Sequence, residues 1–271
     1  MVPYDSAYPS SKTGQDDRYA DDKACCPREA EVRALTAALD RNNRELEHFT
    51  YVAAHDLLEP LRLMTSFTEL FARRYQDLVD EDGQEYLRYA LTGARQMKAM
   101  LGDLLEFTRI STEALPAAPV ALEQTAAQAL RSLAPLIEDT AGHIECGDLP
   151  IIYGRAPHLG QVFYHFFRNS LIYRNNSNNP WIRVEAARIA NAWQINVIDN
   201  GLGIVPDHRM KVFVIFQRLT RDRAKPGTGI GLALCKKIIE MHGGQIWLSP
   251  GIAGGTTVSF TLPDGTSPIN V

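Results

Sequence analysis

The stretch from Leu46 to Phe71 constrains the fold most, because it has the pattern of a long amphipathic helix. Its apolar or small residues recur every three or four positions, which is the spacing of one face of an α-helix. His55 lies off this face: at about 100° of rotation per residue it projects roughly opposite the apolar side. The pattern predicts a helix with one buried face and an exposed histidine, which by itself is an ordinary surface residue. This apolar stripe consists of Leu46, Phe49, Ala53, Leu57, Pro60, Met64, Phe67 and Phe71.

The helical pattern extends in both directions and predicts one helix from about Glu29 to Tyr75, bent at Pro60, which lacks a backbone N–H. The acidic segment from Val79 to Gln84 contains a glycine and predicts a turn, after which a second amphipathic helix follows. Two such helices form an antiparallel hairpin that leaves much of its apolar surface in water. Pairing two copies into a four-helix bundle covers that surface, so we expect a homodimer through the hairpin. The predicted buried face of the second helix consists of Leu87, Leu91, Ala94, Met97, Leu101, Leu104, Leu105 and Thr108.

The composition, with 45% hydrophobic residues in a chain of 271, allows a substantial core and favours two domains or one large one. A net charge of -4 with both signs interspersed gives no reason to expect nucleic acid as a partner. No run of about 18 apolar residues occurs and roughly the first 30 residues are polar, so we expect no membrane insertion, no signal peptide and a cytoplasmic location. The cysteines lack zinc-ligand spacing, which predicts reduced thiols at Cys25, Cys26, Cys146 and Cys235.

The pattern divides this α+β chain into five segments. Residues 1–27 are polar and aperiodic, which predicts a disordered N-terminal extension. Residues 28–110 form the helical hairpin, and residues 111–118 form a linker where prolines interrupt the helical period. Residues 119–263 form an α/β domain whose successive strands, joined by tight turns, predict a mostly antiparallel sheet covered by helices on one face. Residues 264–271 are a C-terminal tail. The elements predicted in the α/β domain are a helix near Leu122 to Asp139, a strand near Ile151, a helix from Pro157 to Tyr173, and the strands WIRVEAARI, AWQINVID, QIWLS and TVSFTL.

Three glycine-containing motifs in this domain bear on ligand binding. DNGLGI (Asp199–Ile204) ends a strand with a carboxylate and lets the backbone approach a ligand closely, so Asp199 is a candidate acceptor for the exocyclic amine of adenine. GTGIGL (Gly227–Leu232) opens a predicted helix, whose N–H groups and dipole favour phosphate. It is neither a Rossmann fingerprint nor a Walker loop, because no strand precedes it directly and no Lys-Ser/Thr follows. HGGQIW (His242–Trp247) is typical of a helix C-cap that leads into a strand.

The segment between the first two motifs carries several cations beside apolar anchors. Two interpretations stay open for it: a mobile segment whose cations screen a triphosphate, or a solvated loop with incidental charge. The phosphate-type helix start beside it favours the first interpretation for the set as a whole. The cations are Arg218, Arg221, Arg223 and Lys225, and the anchors are Val212, Phe213 and Phe216.

Five motifs stand in the order and spacing of the H, N, G1, F and G2 boxes: HDLLEPLR, the helix ending RNSLIYR, DNGLGI, FVIF and GTGIGLALCKKI. From about Glu45 to Pro263 the chain therefore resembles the transmitter region of two-component sensor histidine kinases, most of all the phytochrome-type branch. The resemblance implies a dimeric histidine-phosphotransfer hairpin followed by an ATP-binding domain with the GHKL (Bergerat) α/β sandwich fold. It implies a response regulator receiver domain as partner, with input through the N-terminal extension, through a domain outside this sequence or from a separate sensor protein.

The resemblance also implies roles for individual residues. His55 is the implied phosphoacceptor, and Asp56 would accept the proton on Nδ1 so that Nε2 attacks the γ-phosphate of ATP. Glu59 stands where many relatives carry a Thr or Asn that positions water for dephosphorylating a regulator, which leaves phosphatase activity open. Asn169 would bind Mg²⁺, whose charge neutralises the phosphates. The implied ATP-binding residues are His165, Asn169, Tyr173, Asp199, Gly201, Gly203, Ile204, Phe216, Arg218, Gly227, Thr228, Gly229, Gly231 and Leu232.

Two residues depart from the family pattern, since His165 stands at the usual first N-box asparagine and Ile172 at the usual lysine. His165 either contacts metal or phosphate or is a packed side chain. The leading hypothesis is an ATP-dependent protein-histidine kinase that autophosphorylates His55 and passes the phosphoryl group to an aspartate of a response regulator. The alternative is a weakened or inactive kinase that acts as a phosphotransfer or docking scaffold, which both departures favour. A GHKL ATPase without histidine transfer is disfavoured, because His165 stands where such an ATPase would place a glutamate as general base.

Overall fold

A computed structural model describes residues 27–113, 115–175, 177–219, 227–251 and 254–264. The expectation of an N-terminal disordered segment falls on residues 1–27 and thus lies outside the described residues except at its last position, and the expected tail does so except at its first. Also outside are the predicted roles of Arg221, Arg223, Lys225, Cys25 and Cys26.

The chain separates into two compact units, Met1–Leu46 and Glu47–Val271. The described part of the first unit is helical, and its described side chains from residue 30 to residue 46 are exposed. The second unit contains the remainder of that helix and every other helix and strand of the described chain. It holds two free cysteines, the exposed Cys146 and the buried Cys235, as predicted for those two positions.

Two long helices form the first part of the structure. Helix α1 spans Pro27–Arg74 and contains Pro60, and helix α2 spans Glu81–Thr112. The turn between them lies earlier than predicted, since a 3-10 turn occupies Gln76–Leu78 and residues 81–84 already belong to α2. The cause is Asp80, whose carboxylate accepts a hydrogen bond from the backbone N–H of Gly83 at 2.9 Å and so caps the helix.

The apolar stripe of α1 is mostly exposed in the single chain, as expected of a lone hairpin that leaves much of its apolar surface in water: Phe49 is 72% exposed and Phe67 is 67% exposed. The buried positions of α1 lie on a neighbouring line of the helix, at Ala54, Leu61 and Thr65. The physical reason is that a two-helix hairpin offers α1 a single helical partner, so that one apolar face is covered and the other stays in water. Of the predicted face of α2, Met97 is also exposed, whereas the remaining members are buried or partly buried.

The α/β domain contains a five-stranded sheet with strand order β2-β4-β5-β7-β6 and a two-stranded sheet that pairs β1 with β3. Every neighbouring pair is antiparallel except β2 and β4, which are parallel. This agrees with the predicted mostly antiparallel sheet, although β1 and β2 were not predicted. The strands are β1 Ala118–Ala121, β2 His143–Cys146, β3 Ile151–Gly154, β4 Trp181–Ile189, β5 Ala192–Asp199, β6 Ile246–Pro250 and β7 Thr256–Pro263.

The helices of this domain are α3 (Leu122–Ser132), α4 (Ala134–Thr140), α5 (Ala156–Ile172) and α6 (Gly231–Met241). Short 3-10 turns also occur at Pro206–His208 and Lys211–Phe213. The single helix predicted over residues 122–139 is therefore wrong in one respect, since it is split into α3 and α4. Pro135, next to the break, explains the split, because a proline inside a continuous helix removes one hydrogen bond and clashes with the preceding turn.

Helix α5 fixes the geometry of the domain because one side of it is packed into the core. Phe163, Phe166 and Phe167 are each at most 1% exposed; the ring of Phe163 meets that of Phe260 of β7 edge-to-face, and the ring of Phe166 packs against it at a tilt. With these side chains locked, the neighbouring polar positions of α5 have defined directions. No helix in the described part of the chain is long and apolar enough to cross a membrane.

Candidate nucleotide and phosphoacceptor sites

One cavity in the α/β domain collects most of the residues predicted to bind nucleotide. Its wall is formed by α5, the segment after β5, the start of α6 and one residue of α2. Two predicted residues are not in the wall: Gly201 donates its backbone N–H to the wall residue Asp199, and Phe216 places its backbone against Gly229. The predicted residues that line the cavity are His165, Asn169, Tyr173, Asp199, Gly203, Ile204, Arg218, Gly227, Thr228, Gly229, Gly231 and Leu232.

Asp199 is the buried acceptor of this cavity, at 8% exposure. Its Oδ1 accepts hydrogen bonds from the backbone N–H groups of Gly201 and Thr256, both at 2.9 Å, and its Oδ2 accepts one from the Ser170 hydroxyl at 3.1 Å. Burial raises the pKa of Asp199, and these three hydrogen bonds act in the opposite direction. A carboxylate oxygen can accept more than one hydrogen bond, and Oδ2 accepts only that of Ser170 within the described residues. This fixed group is therefore suited to accept another from an aromatic amine.

The N-terminus of α6 favours negative charge, in contrast to the hydrogen-bond acceptor Asp199. The helix begins at Gly231, and the Thr228 hydroxyl accepts a hydrogen bond from the backbone N–H of Ile230 at 3.3 Å. A Cβ built on Gly231 would lie 2.7 Å from Nδ1 of His165, so only glycine allows this close approach. Free N–H groups at a helix start and the helix dipole bind anions, which fits phosphate here.

His165 belongs to the cavity wall and also packs against the start of α6. Burial lowers its pKa to about 4, so the imidazole is neutral at neutral pH. His165 is thus a packed side chain that also faces the cavity, and its contact with metal or phosphate stays a prediction. Ile172 is 8% exposed and does not line the cavity, so the position of the usual N-box lysine contributes no cation to this wall.

Asn169 is a suitable ligand for Mg²⁺, because it brings a hard amide oxygen to the cavity. Within the described ranges, no cluster of three or more His, Cys, Asp or Glu residues is arranged to hold a metal ion. These residues therefore fit a magnesium ion that is held through Asn169 together with phosphates and water, since Mg²⁺ commonly keeps several waters and binds with substrate phosphates.

His55 lies on the exposed surface of α1, as its position off the apolar stripe predicts. Its side chain is 68% exposed, and Nδ1 lies 3.2 Å from Oδ1 of Asp56. The ring of Tyr51 stacks on the imidazole with 6.5 Å between ring centroids, and Glu59 is exposed one turn further along. With the proton on Nδ1, Asp56 accepts it and Nε2 carries a lone pair, which is the arrangement of an oriented nucleophile.

Comparisons with known proteins were consistent across sequence and structure. Residues 45–113 match the family model of the His Kinase A (phospho-acceptor) domain, and residues 154–266 match that of the Histidine kinase-, DNA gyrase B-, and HSP90-like ATPase. The chain belongs to the sensor histidine kinases and contains their transmitter region. Its fold, a long helical hairpin followed by an α/β domain of the GHKL class, is that of the family.

Relatives of this chain include phytochromes. The chain is 38% identical to Cyanobacterial phytochrome A of Nostoc sp. (strain PCC 7120) and to the phytochrome-like protein Cph1 of Synechocystis sp. (strain PCC 6803), over 87% of this chain and 31% of each relative. It is 30% identical to the adaptive-response sensory kinase SasA of Synechococcus elongatus, over 84% of this chain and 61% of SasA. The chain thus spans about a third of the length of the two phytochromes.

Among solved structures, full-length ShkA in complex with AMPPNP superposes with a TM-score of 0.62. The two chains are 20% identical, and the match covers 83% of this chain and 47% of ShkA. At this identity the likeness concerns the fold.

Two charged residues of the cavity wall, Asp103 and Arg168, were not predicted from the sequence. Arg168 lies beside Asn169 on α5, whereas Asp103 comes from the hairpin. Asp103 belongs to α2, and its carboxylate accepts a hydrogen bond from the hydroxyl of Thr228. The motifs of histidine kinases assign the nucleotide site to residues of the α/β domain and therefore give no signal for a residue of the hairpin. The sole signal in the sequence was a carboxylate placed between the apolar positions Leu101 and Leu104 of the same helix.

Proposed function

We propose that this chain is an ATP-dependent protein-histidine kinase of a two-component system that autophosphorylates His55. The observation that carries this proposal is the presence in one unit of an exposed, carboxylate-oriented histidine and a cavity that joins Asp199 to the start of α6. In this cavity the adenine amine donates to Asp199, the apolar wall at Ile204 and Leu232 covers the base, and the phosphates lie at the N–H groups of α6.

The reaction follows from the state of the His55 ring. Nε2 attacks the γ-phosphorus of ATP, a P–N bond forms, the P–O bond to the β-phosphate breaks, and ADP leaves. The proton on Nδ1 stays in its hydrogen bond to Asp56, which stabilises the positive charge that develops on the ring. Mg²⁺, held with the help of Asn169, supplies charge neutralisation of the phosphates. The phosphoryl group then passes to an aspartate of a response regulator receiver domain.

The decisive measurement uses purified chain, Mg²⁺ and ATP labelled on the γ-phosphate. We expect acid-labile, alkali-stable labelling that His55→Gln abolishes. The matched control is His48→Gln, since His48 is a second exposed histidine of the same helix. Absence of label in the unaltered chain, despite measurable ATP binding, would contradict the kinase proposal.

A second candidate function is a phosphotransfer or docking scaffold with little kinase activity. His165 and Ile172 favour it, because they remove an amide oxygen and a cation that the family usually presents to metal and phosphate. The two functions separate when the chain is incubated with a phosphorylated receiver domain instead of ATP. A scaffold acquires label at His55 from that donor and none from ATP, whereas a kinase acquires label from ATP.

We further propose that two copies pair through the apolar stripe. Support comes from Phe49, Met64 and Phe67, each at least 66% exposed in the single chain and all on one side of α1. Burying such side chains is worth about 1.5 to 3 kcal/mol each. Sedimentation velocity should show a dimer that Phe67→Glu dissociates, whereas Arg73→Glu, near the end of the same helix, leaves it intact. We also propose a cytoplasmic location, because the proposed reaction consumes ATP.

A further inference from the structure

Asp103 brings a negative charge from the hairpin into the nucleotide cavity. It is partly buried, it lines the cavity, and its Oδ2 accepts the hydroxyl proton of Thr228. Thr228 is 9% exposed, and its hydroxyl oxygen in turn accepts from the backbone N–H of Ile230, directly before α6. The carboxylate is therefore placed beside the helix start to which the proposed function assigns the phosphates.

Further contacts hold this end of the hairpin against the α/β domain. Lys237 of α6 donates to Oε1 of Glu47 at 2.8 Å and to the carbonyl oxygen of Phe107 at 3.0 Å, and its ammonium lies 4.3 Å from the centroid of the Phe107 ring. Ile110 of α2 is 2% exposed and is part of the hydrophobic core of the α/β domain. We call these interactions of Glu47, Phe107, Ile110 and Lys237 the docking contact.

The docked hairpin and a bound triphosphate would both place negative charge at the start of α6. In the docked arrangement, the Thr228 hydroxyl and the dipole of α6 face a carboxylate of the protein's own hairpin. A triphosphate at the same helix start needs those groups and repels the carboxylate across a partly desolvated cavity, where charges are screened less than in water. Adenosine has no phosphate and leaves the Asp103 charge undisturbed.

We propose that Asp103 is a specificity-determining residue of the nucleotide site, whose carboxylate competes with the triphosphate so that ATP binding and the docking contact oppose each other. The inference rests on the proposed function, because it takes the cavity as the ATP site. Coupling of this kind is reciprocal: docking lowers the affinity for ATP by the factor by which ATP weakens docking. Asp103 thus connects the state of the nucleotide site to the position of the hairpin that carries His55.

The first test measures the dissociation constants of Mg·ATP and of adenosine for the chain and for Asp103→Asn, which removes the charge and retains an oxygen acceptor for Thr228. We expect Asp103→Asn to tighten ATP binding about fivefold to tenfold and to change adenosine binding by less than about twofold. Equal affinities for ATP in both proteins, or an equal gain for ATP and adenosine, would overturn the proposal. If the unaltered chain binds neither ligand, the proposed function itself fails.

The second test follows the docking contact directly through the reactivity of the Lys237 amine toward an acylating reagent, read by peptide mass spectrometry. The matched control is Lys236, its neighbour on α6, because the Lys236 side chain is 37% exposed and that of Lys237 is 17% exposed. Saturating Mg·ATP should raise the ratio of Lys237 to Lys236 modification at least threefold in the unaltered chain, and adenosine should leave it unchanged. In Asp103→Asn the increase with ATP should be largely lost. A ratio that ATP lowers or leaves constant in the unaltered chain sinks the proposal, even where His55 labelling proves the kinase.

Discussion

His55 and Asp199 carry the proposed reaction, and their surroundings differ in nearly every respect. The side chain of His55 is 68% exposed, and its hydrogen-bond partner is the adjacent residue. Asp199 is 8% exposed, and two of its donors lie 29 and 57 residues away in the sequence, at Ser170 and Thr256. The proposed phosphoacceptor is thus a local feature on a regular helix, whereas the proposed nucleotide site exists only when distant segments fold together. Substitutions at the first site should change chemistry alone, and substitutions around the second should change binding or stability as well.

The largest expected effect compares one residue type in the two regions. Phe163→Ala should lower the free energy of unfolding of the α/β domain by about 3 to 5 kcal/mol, because it removes a fully buried ring packed against Phe167 and Phe260. Phe49→Ala should lower the free energy of unfolding of the α/β domain by less than about 0.5 kcal/mol, because Phe49 lies on α1, outside that domain, and its ring is 72% exposed in the single chain. Its cost should fall instead on the proposed dimer, which buries this ring. Urea unfolding of the α/β domain, followed for each variant, measures both losses of free energy. Similar losses for the two variants would contradict the contrast between the regions.

A second comparison applies one chemical change to each site. Asp199→Asn should weaken nucleotide binding by about 2 to 3 kcal/mol, or roughly 30-fold to 150-fold, because the amide cannot accept from Gly201, Thr256 and the adenine amine equally well. Asp56→Asn should leave the dissociation constant of ATP within about twofold and slow the labelling of His55, since it disturbs only the orientation of an exposed ring. Calorimetric titration with ATP and the labelling time course separate the two effects. Loss of ATP affinity in Asp56→Asn would show that the regions are less independent than their contacts suggest.

The distinction between local features and features built from distant segments also explains what could be predicted from the sequence. Helix α1, the exposed position of His55 and the strands β4 and β5 were predictable, because each follows from a period within one segment. The burial of Ala54 in place of Leu57, the pairing of β1 with β3 and the presence of Asp103 in the cavity were not. Each of these depends on which distant segment packs against the residue, and periodicity carries no information about that choice.

The third prediction concerns pH and a buried histidine of the α/β domain. His158 is 2% exposed, neither ring nitrogen has a hydrogen-bond partner among the described residues, and burial lowers its pKa to about 4. Below the ordinary histidine pKa the unfolded chain therefore binds a proton that the folded chain does not, so stability falls as the pH drops from about 6.5 toward 4. His158 alone should account for a loss of about 2 kcal/mol between pH 7 and pH 5.

The difference between the unaltered chain and His158→Leu isolates this contribution, because other histidines titrate in both proteins. Urea unfolding at pH 7 and pH 5 should show a smaller pH dependence for His158→Leu by about 2 kcal/mol. The matched control is His48→Leu, which makes the same substitution at an exposed position of α1 without removing a buried ring. An identical pH dependence in His158→Leu and the unaltered chain would mean that the ring of His158 takes up a proton in the folded state as readily as in the unfolded one.

The smallest expected effect concerns His165. This residue is partly buried and also faces the open cavity. Its imidazole lines the candidate nucleotide cavity and also packs against Gly231 at the start of α6. His165→Asn restores an amide oxygen one turn before Asn169, on the same face of α5. If the absent oxygen limits catalysis, the labelling of His55 should accelerate by up to about tenfold, which corresponds to about 1.4 kcal/mol. If the rate is unchanged or falls while the ATP affinity is retained, then the neutral imidazole already supplies the contact to metal or phosphate. The departure from the family pattern would then be a working substitution and would no longer favour the scaffold function.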